Sequence, residues 1–333
     1  MKKQLFLLVV LLPLLATASV RGDVDGTGGI DGTDINVLIN ILLGKDNADN
    51  YDGRADVNND TYVDGNDLNV LINLVLGKEV NPPAPGTQTF TVNGVSFTMV
   101  TIEGGTFTMG AADDDPDALI TERPAHNVTL SGFSIGQTEV TQELWLAVMD
   151  SNPSHFSSNN DYADNLQRPV ESVDWYKCQK FITKLNQLTG QNFRLPTEAE
   201  WEFAARGGNL GHGYKYSGSN NIGDVAWYWG NIPSQTENEP GFGTQSVATK
   251  APNELGLYDM NGNVCEWCND WYEDYSSDAQ TNPTGPDYDP NYYFYRVIRG
   301  GCWRAPDWYS RVTSRDSDDY SSISWANGFR LAM

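Results

Sequence analysis

Two stretches carry oxygen-bearing side chains at a spacing that suits a hard cation. In DVDGTGGIDGTD they fall on Asp23, Asp25, Thr27, Asp31 and Asp34, and in DVNNDTYVDGND on Asp56, Asn58, Asp60, Asp64 and Asp67. Each set occupies positions one, three, five, nine and twelve of a loop. A tight loop turns alternate side chains inward, and position seven adds a backbone carbonyl, here from Gly29 and Tyr62. The spacing predicts one Ca2+ per copy, two in all, because calcium takes roughly six to eight oxygen ligands. Without a cation, carboxylates crowded in this way would repel one another.

The chain of 333 residues has four cysteines, Cys178, Cys265, Cys268 and Cys302, and three histidines, His126, His155 and His212. No histidine pair has H-x-x-H spacing, and His126, in ERPAHNV, reads as structural. Lysine and arginine number 21 against 44 aspartates and glutamates, a net charge of −23, which disfavours a nucleic-acid partner and favours divalent cations. Residues 1–18 combine two lysines, a short Pro-interrupted apolar run and an Ala16-Thr17-Ala18 cleavage pattern, as in a secretory signal peptide. The mature chain is therefore expected outside the cytoplasm, extracellular or periplasmic, without a stable membrane span, where cysteines can pair.

The calcium loops belong to two near copies of one unit, each loop running into an apolar helix, so residues 22–78 define a module. The run EVNPPAPG opens a stiff linker over residues 79–88. Beyond it, FTVNGVSFTMVTIEGGTFTMG alternates apolar and polar residues around glycine turns, as short antiparallel strands do. A helix is predicted from near Thr141, with Leu144, Trp145 and Val148 on one side. Another is predicted from Asp174 to Leu188, with Trp175, Cys178, Phe181, Ile182, Leu185 and Leu188 at helical spacing and Gly190 as its stop. A third begins at a T-x-x-E capping box, Thr197 to Glu200.

The loop–helix repeats and the D-L/I-N-V-L-I-N phrase resemble type I dockerin domains, which adds an expectation of a cohesin-type partner. The loops have the spacing of EF-hand loops, but no helix precedes either, and position twelve is Asp rather than Glu. Further on, RLPTEAEWEFAARGG at residues 194–208, NELGLYDMNGNVCEW at 253–267, and RGG at 299–301 followed by NGFRLA at 327–332 closely resemble the formylglycine-generating-enzyme (sulfatase-modifying factor) superfamily. The resemblance implies an α+β fold over residues 89–333, a loop-rich variant of the C-type lectin, behind a small all-α loop–helix module.

What it implies for chemistry is mixed. The two copper-binding cysteines of the oxidases fall, without a gap, on Ala305 and Ser310, neither of which supplies a thiolate, so no copper is expected. The histidine cluster of the family's iron enzymes is also missing. Cys265 stands where the family phrase has tryptophan and Cys302 where it has serine, at positions that face each other in the oxidases. A Cys265–Cys302 disulfide is the leading expectation, with two free buried thiols, a displaced copper site or a Cys265–Cys268 pair as alternatives. The positions matching the family's structural calcium are Asp259 and Glu266 through side chains, and Gly262 and Val264 through carbonyls. That adds one Ca2+.

Between these landmarks, residues 303–325 interleave Trp and Tyr with Ser, Asp and Arg, the mixture of an adaptable binding face. Trp303, Arg304, Asp307, Trp308, Tyr309 and Tyr320 are the expected contacts for a protein or glycan. The sequence therefore reads as a secreted protein whose dockerin-like repeats tether a non-catalytic binding domain. The alternative is an oxidoreductase of the same superfamily.

Overall fold

The computed structural model describes residues 24, 32–51, 55, 71, 86–113, 115–158, 162, 165–237, 239–287 and 294–333. The chain divides into two compact units, residues 1–83 and 84–333. In the first, helix α1 (Gly32–Leu42) has Ile35, Leu38, Ile41 and Leu42 at helical spacing. Leu38 is fully buried with Val24, Ala55 and Leu71 in a small core of their own. Asp34, position twelve of the first loop, is buried in the first turn of α1, where a carboxylate meets the positive end of the helix dipole. The other loop positions, Asp23, Asp25, Thr27, Gly29, Asp31, Asp56, Asn58, Asp60, Tyr62, Asp64 and Asp67, lie outside the described residues, as does the expected signal segment.

The second unit opens with a hairpin of β1 (Thr87–Val92) and β2 (Val95–Ile102), whose turn is the Asn93-Gly94 pair and whose register runs from Val92 opposite Val95 to Thr87 opposite Val100. Asn-Gly favours this turn because both residues accept the positive φ that matches strand twist. The first strand thus begins at Thr87, inside the segment expected as linker. Strands β3 (Gly105–Met109), β4 (His126–Leu130) and β5 (Phe133–Gly136) follow, with β5 pairing antiparallel to β2 and β4 to β3. Helices α2 (Gln142–Met149), α3 (Trp175–Thr189) and α4 (Glu198–Ala205) come next.

All three helices start where side-chain oxygens satisfy first-turn N–H groups. Thr141 accepts from Leu144, Asp174 from Lys177, and Thr197 and Glu200 form a reciprocal capping box. Gly190 ends α3 in the left-handed conformation. The expected apolar stripe of α3 needs one correction: Leu188 is 48% exposed, because its turn runs past the core that buries Cys178, Phe181, Ile182 and Leu185.

Strands β6 (Cys265–Trp271), β7 (Gln280–Thr281), β8 (Tyr295–Arg299), β9 (Arg315–Asp319) and β10 (Asn327–Gly328) complete the unit. Among the described residues these strands make three small sheets, ordered β1-β2-β5, β3-β4-β7 and β10-β6-β8-β9. One core lies under α2 and α3 and includes Trp145, Phe181, Trp267 and Phe329. A second surrounds α4 and includes Trp201, Phe203, Cys268 and Val297. Burying each such large apolar side chain contributes about 1.5–3 kcal/mol. The architecture is α+β and loop-rich, as the resemblance implied.

Candidate functional site

The segment from Arg299 to Met333 is fixed by buried ion pairs. Arg299 donates to Glu202 on α4, Arg315 to both oxygens of Glu198 at 2.8 Å, Arg311 to both oxygens of Glu122, and Arg330 to both oxygens of Glu266 at 2.6 Å. Each guanidinium is almost wholly buried. Burying a charge costs heavily unless it is paired and hydrogen-bonded, and these pairs, three of them bidentate, supply both.

Between those anchors, Gly300 and Gly301 take φ of 92° and 69°, and a side chain on Gly301 would strike the Tyr309 carbonyl at 2.9 Å. The turn therefore needs glycine. It delivers Cys302 to the floor of a pocket of about 300 Å³, lined also by Cys265, Arg304, Ala305, Tyr309, Ser314, Asp316, Ser324 and Asn327. All four cysteines are free thiols. Cys265 and Cys302 meet through a side-chain hydrogen bond, which holds the Cys302 thiol below its usual range, aided by the backbone N–H groups of Arg304 and Ala305, and pushes Cys265 up. Cys268 does not join them. An offset of three along β6 turns it to the opposite face, into the core around Trp201.

The expected contact residues separate. Arg304 is exposed beside the Trp325 ring, its guanidinium 5.7 Å from the centroid, and lines the pocket with Tyr309. Asp307, Trp308 and Tyr309 share a 3-10 turn, Asp307–Ser310, and Trp308 is 50% exposed. Tyr320 lies elsewhere, edge-on to Tyr176 and Trp271. Trp303 is core rather than surface. It is 2% exposed, packs on Phe156 and Phe242, and donates its Nε1–H to the Trp325 carbonyl at 3.3 Å.

The turn expected to hold calcium is compact and acidic. Asp259 is buried; its Oδ2 accepts from Ala248 at 2.7 Å, and its Oδ1 has no hydrogen-bond partner. Gly262, at φ 75°, packs where a side chain would meet the Trp227 carbonyl at 2.2 Å. Val264 donates its N–H to Glu139, and Glu266, besides Arg330, accepts from Trp201 Nε1 at 2.7 Å. Burial pushes Glu139 well above the usual carboxylate range, with Asp259 and Glu266 adding to the effect, and burial pushes Asp259 up to about 6. Both Glu266 oxygens are thus occupied, while Asp259 Oδ1 is an orphaned buried oxygen that a cation could satisfy. Among the described residues no three acids, thiols or imidazoles converge as a metal cluster; the expected set needs only two acids, completed by carbonyls.

The architecture agrees with what comparison finds. The family described as "Sulfatase-modifying factor enzyme 1-like domain" matches residues 87–333, and "Dockerin type I domain" matches residues 21–76. The chain belongs to the sulfatase-modifying factor family. It is 34% identical to the "Chaperone protein LppX" of Paenibacillus barcinonensis, over 71% of this chain and 89% of that protein. With the "Serine/threonine-protein kinase Pkn1" of Chlamydia trachomatis it shares 33% identity over 70% of this chain, and spans 38% of that protein's length. Among solved structures, "Treponema denticola variable protein 1" is 35% identical with a TM-score of 0.63, covering 74% of this chain and 99% of that one. Dockerin domains generally bind calcium, pair with a cohesin and occur in extracellular proteins. Among the described residues no helix is long and apolar enough to cross a membrane.

Within the sulfatase-modifying-factor domain, the sequence reading missed Ser314, Asp316, Ser324 and Asn327 as pocket residues. Alternation along β9 was the available signal: Arg315 turns inward to Glu198 while Asp316 stays exposed. His126 is structural, buried at the start of β4, with Nδ1 3.2 Å from the Pro124 carbonyl and its ring against Tyr275.

Proposed function

We propose that the chain is a secreted calcium-binding protein in which the dockerin module tethers a sulfatase-modifying-factor domain that binds a protein or glycan and performs no copper-dependent oxidation. The carrying observation is the pocket itself. Its wall contains Ala305, at one position where the resemblance puts a copper cysteine, and Ser310, at the other, is a buried hydroxyl with no partner. A methyl group and an alcohol do not hold copper(I), which selects soft sulfur ligands. The same wall offers Arg304 and Tyr309, a cation and an aromatic hydroxyl suited to a polar ligand. Residues 1–18 direct export and are removed, residues 22–78 and 89–333 form the two working modules, and a cohesin-type protein receives the first. The Asp23 and Asp56 loops each hold one Ca2+. A third sits at Asp259, Gly262, Val264 and Glu266, a reading supported by the orphaned Asp259 Oδ1.

Two measurements on the purified chain test this. Oxygen uptake with copper and a cysteine-containing peptide is expected to stay at the buffer rate. Protein and glycan arrays are expected to yield a ligand whose binding drops about tenfold or more on Arg304→Ala or Tyr309→Ala, the loss of one pocket contact. Copper-dependent turnover overturns the non-oxidising reading, and array binding that both variants leave intact overturns the assignment of the pocket.

A further inference from the structure

A larger pocket, of about 520 Å³, is walled by the start of α4, the end of β6 with the segment after it, and the loop after β7; of the residues lining the Cys302 pocket it shares only Arg315. Glu198, Asp270, Glu273 and Asp274 give it acidic groups. Arg315 is fully occupied, by both oxygens of Glu198 and by the Thr121 and Glu273 carbonyls. Trp271, Tyr275 and Pro283 add apolar wall.

Asp270 is the unusual member. It is 4% exposed, yet among the described residues it has no ion-pair partner, whereas the buried Glu122, Glu198, Glu202 and Glu266 are each gripped by an arginine. Its one hydrogen bond among those residues runs from the Glu198 N–H to Oδ2 at 3.0 Å, which leaves Oδ1 without a donor. The neighbouring guanidinium, Arg296, is engaged elsewhere: it lies 3.9 and 3.4 Å from the ring centroids of Trp175 and Trp271 and donates to the Asn269 carbonyl. Gly285, at φ 73°, keeps the approach clear, since a side chain there would come within 2.8 Å of Asp270 Cβ and 3.3 Å of Oδ1.

We infer that this pocket binds a primary ammonium group on an apolar stem, as in an alkylamine or a lysine side chain, with Asp270 Oδ1 as its acceptor. A guanidinium fork matches two carboxylate oxygens, and Oδ2 is taken; an ammonium is a compact charge that one oxygen can hold. A metal ion fits less well, because among the described residues no three acids, thiols or imidazoles converge. The stem would lie along Trp271, Tyr275 and Pro283. Burial, with the Glu198 charge adding to it, pushes Asp270 up to about 8, so at neutral pH an incoming ammonium displaces a proton from it into water. Glu198 and Glu200 of α4 and Arg296 of β8 act on this carboxyl, and His126 of β4 lines the same pocket. Binding is therefore expected to strengthen as pH rises toward 8. None of this depends on the reading of the Cys302 pocket.

The test is calorimetry on the full chain at about pH 7 and about pH 9, in buffers of different ionisation enthalpy. The probes are Nα-acetyl-lysine methylamide, its Nε-acetylated form, the arginine analogue and pentylamine. The lysine compound is expected to bind about tenfold or more tightly than the Nε-acetylated and arginine compounds, more tightly at the higher pH, and with release of a proton at the lower. Tighter binding of pentylamine would assign the site to free amines, and tighter binding of the lysine compound to a lysine side chain, both within the inference. Asp270→Asn keeps an acceptor for the Glu198 N–H and is expected to lose about tenfold or more in affinity together with the proton release. Thermal melts show whether the variant is folded, and the probe series on the native chain decides alone if it is not. No saturable binding of either amine, equal binding of the Nε-acetylated or arginine compound, or unchanged affinity in folded Asp270→Asn would each overturn the inference.

Discussion

Arg330 grips Glu266 through two hydrogen bonds of 2.6 Å, both side chains being essentially withdrawn from solvent. The same guanidinium donates to the carbonyls of Gly136 and Tyr258 at 3.0 Å, so one side chain joins β5, the turn before β6 and the closing strand. Arg330→Met strands Glu266 beside Glu139 and Asp259 and is expected to cost about 3–5 kcal/mol, seen as a lower denaturant midpoint. The double variant Arg330→Met/Glu266→Gln should recover part of that loss. Equal destabilisation of the two would show that the buried charge is not the cause.

Two tryptophans five positions apart should behave oppositely. Trp303, at 2% exposure, fills the cluster with Phe156 and Phe242, so Trp303→Ala is expected to destabilise by about 3–5 kcal/mol. Trp308, at 50% exposure, should change stability by about 0.5 kcal/mol or less on truncation. Chemical denaturation of both variants checks the contrast, and similar losses would contradict the assignment of Trp303 to the core.

Stability should depend on pH with an unusual sign. Burial pushes Asp270 up to about 8 and Glu171 up to about 7, so both hold a proton in the fold at pH values where the unfolded chain has lost it. A raised carboxyl stabilises fully below its unfolded value and loses that contribution as pH rises through its folded value. Between pH 5 and 8, in the range about these carboxyls, the native protein is therefore expected to become less stable as pH rises. Asp270→Asn keeps an oxygen for the Glu198 N–H, which lies 3.0 Å from Oδ2, and should flatten the dependence by a few kcal/mol, on the order of one to three. Calorimetric scans across the range decide it; an unchanged slope in the variant would sink the assignment.

Metal withdrawal should reach the two units differently. Calorimetry of the full chain is expected to find about two sites from the loops and one from the Asp259 turn. Asp34→Ala, at the buried first turn of α1, should weaken one site about tenfold or more and leave the others. Three unaltered sites in that variant would remove Asp34 from the ligand set.

Much of the frame was legible because it is local. The caps at Thr141, Asp174 and Thr197, the stop at Gly190 and the Asn93-Gly94 hairpin all follow from side chains acting within a few residues. The site was less legible because it is assembled from distant segments. Arg311 pairs with Glu122 and Arg315 with Glu198, separations that leave no periodic trace, and the Trp303 side chain finds its cluster only when residues 156 and 242 arrive beside it. Leu188 shows the converse limit: helical spacing places it in the stripe, but spacing does not tell where the covering core ends.

The backbone seam at residues 330–333 sets an order of events. Gly136 donates to the Leu331 carbonyl, Ser134 and Met333 exchange two hydrogen bonds, and Arg194 and Ala332 exchange another two. Until residue 333 leaves the ribosome, β5 and the approach to α4 have no partner for these groups. During synthesis the dockerin module, with its own small core, can finish folding while the larger domain still waits for its keystone. A chain lacking residues 330–333 would keep two unpaired edges, one at β5 and one before α4.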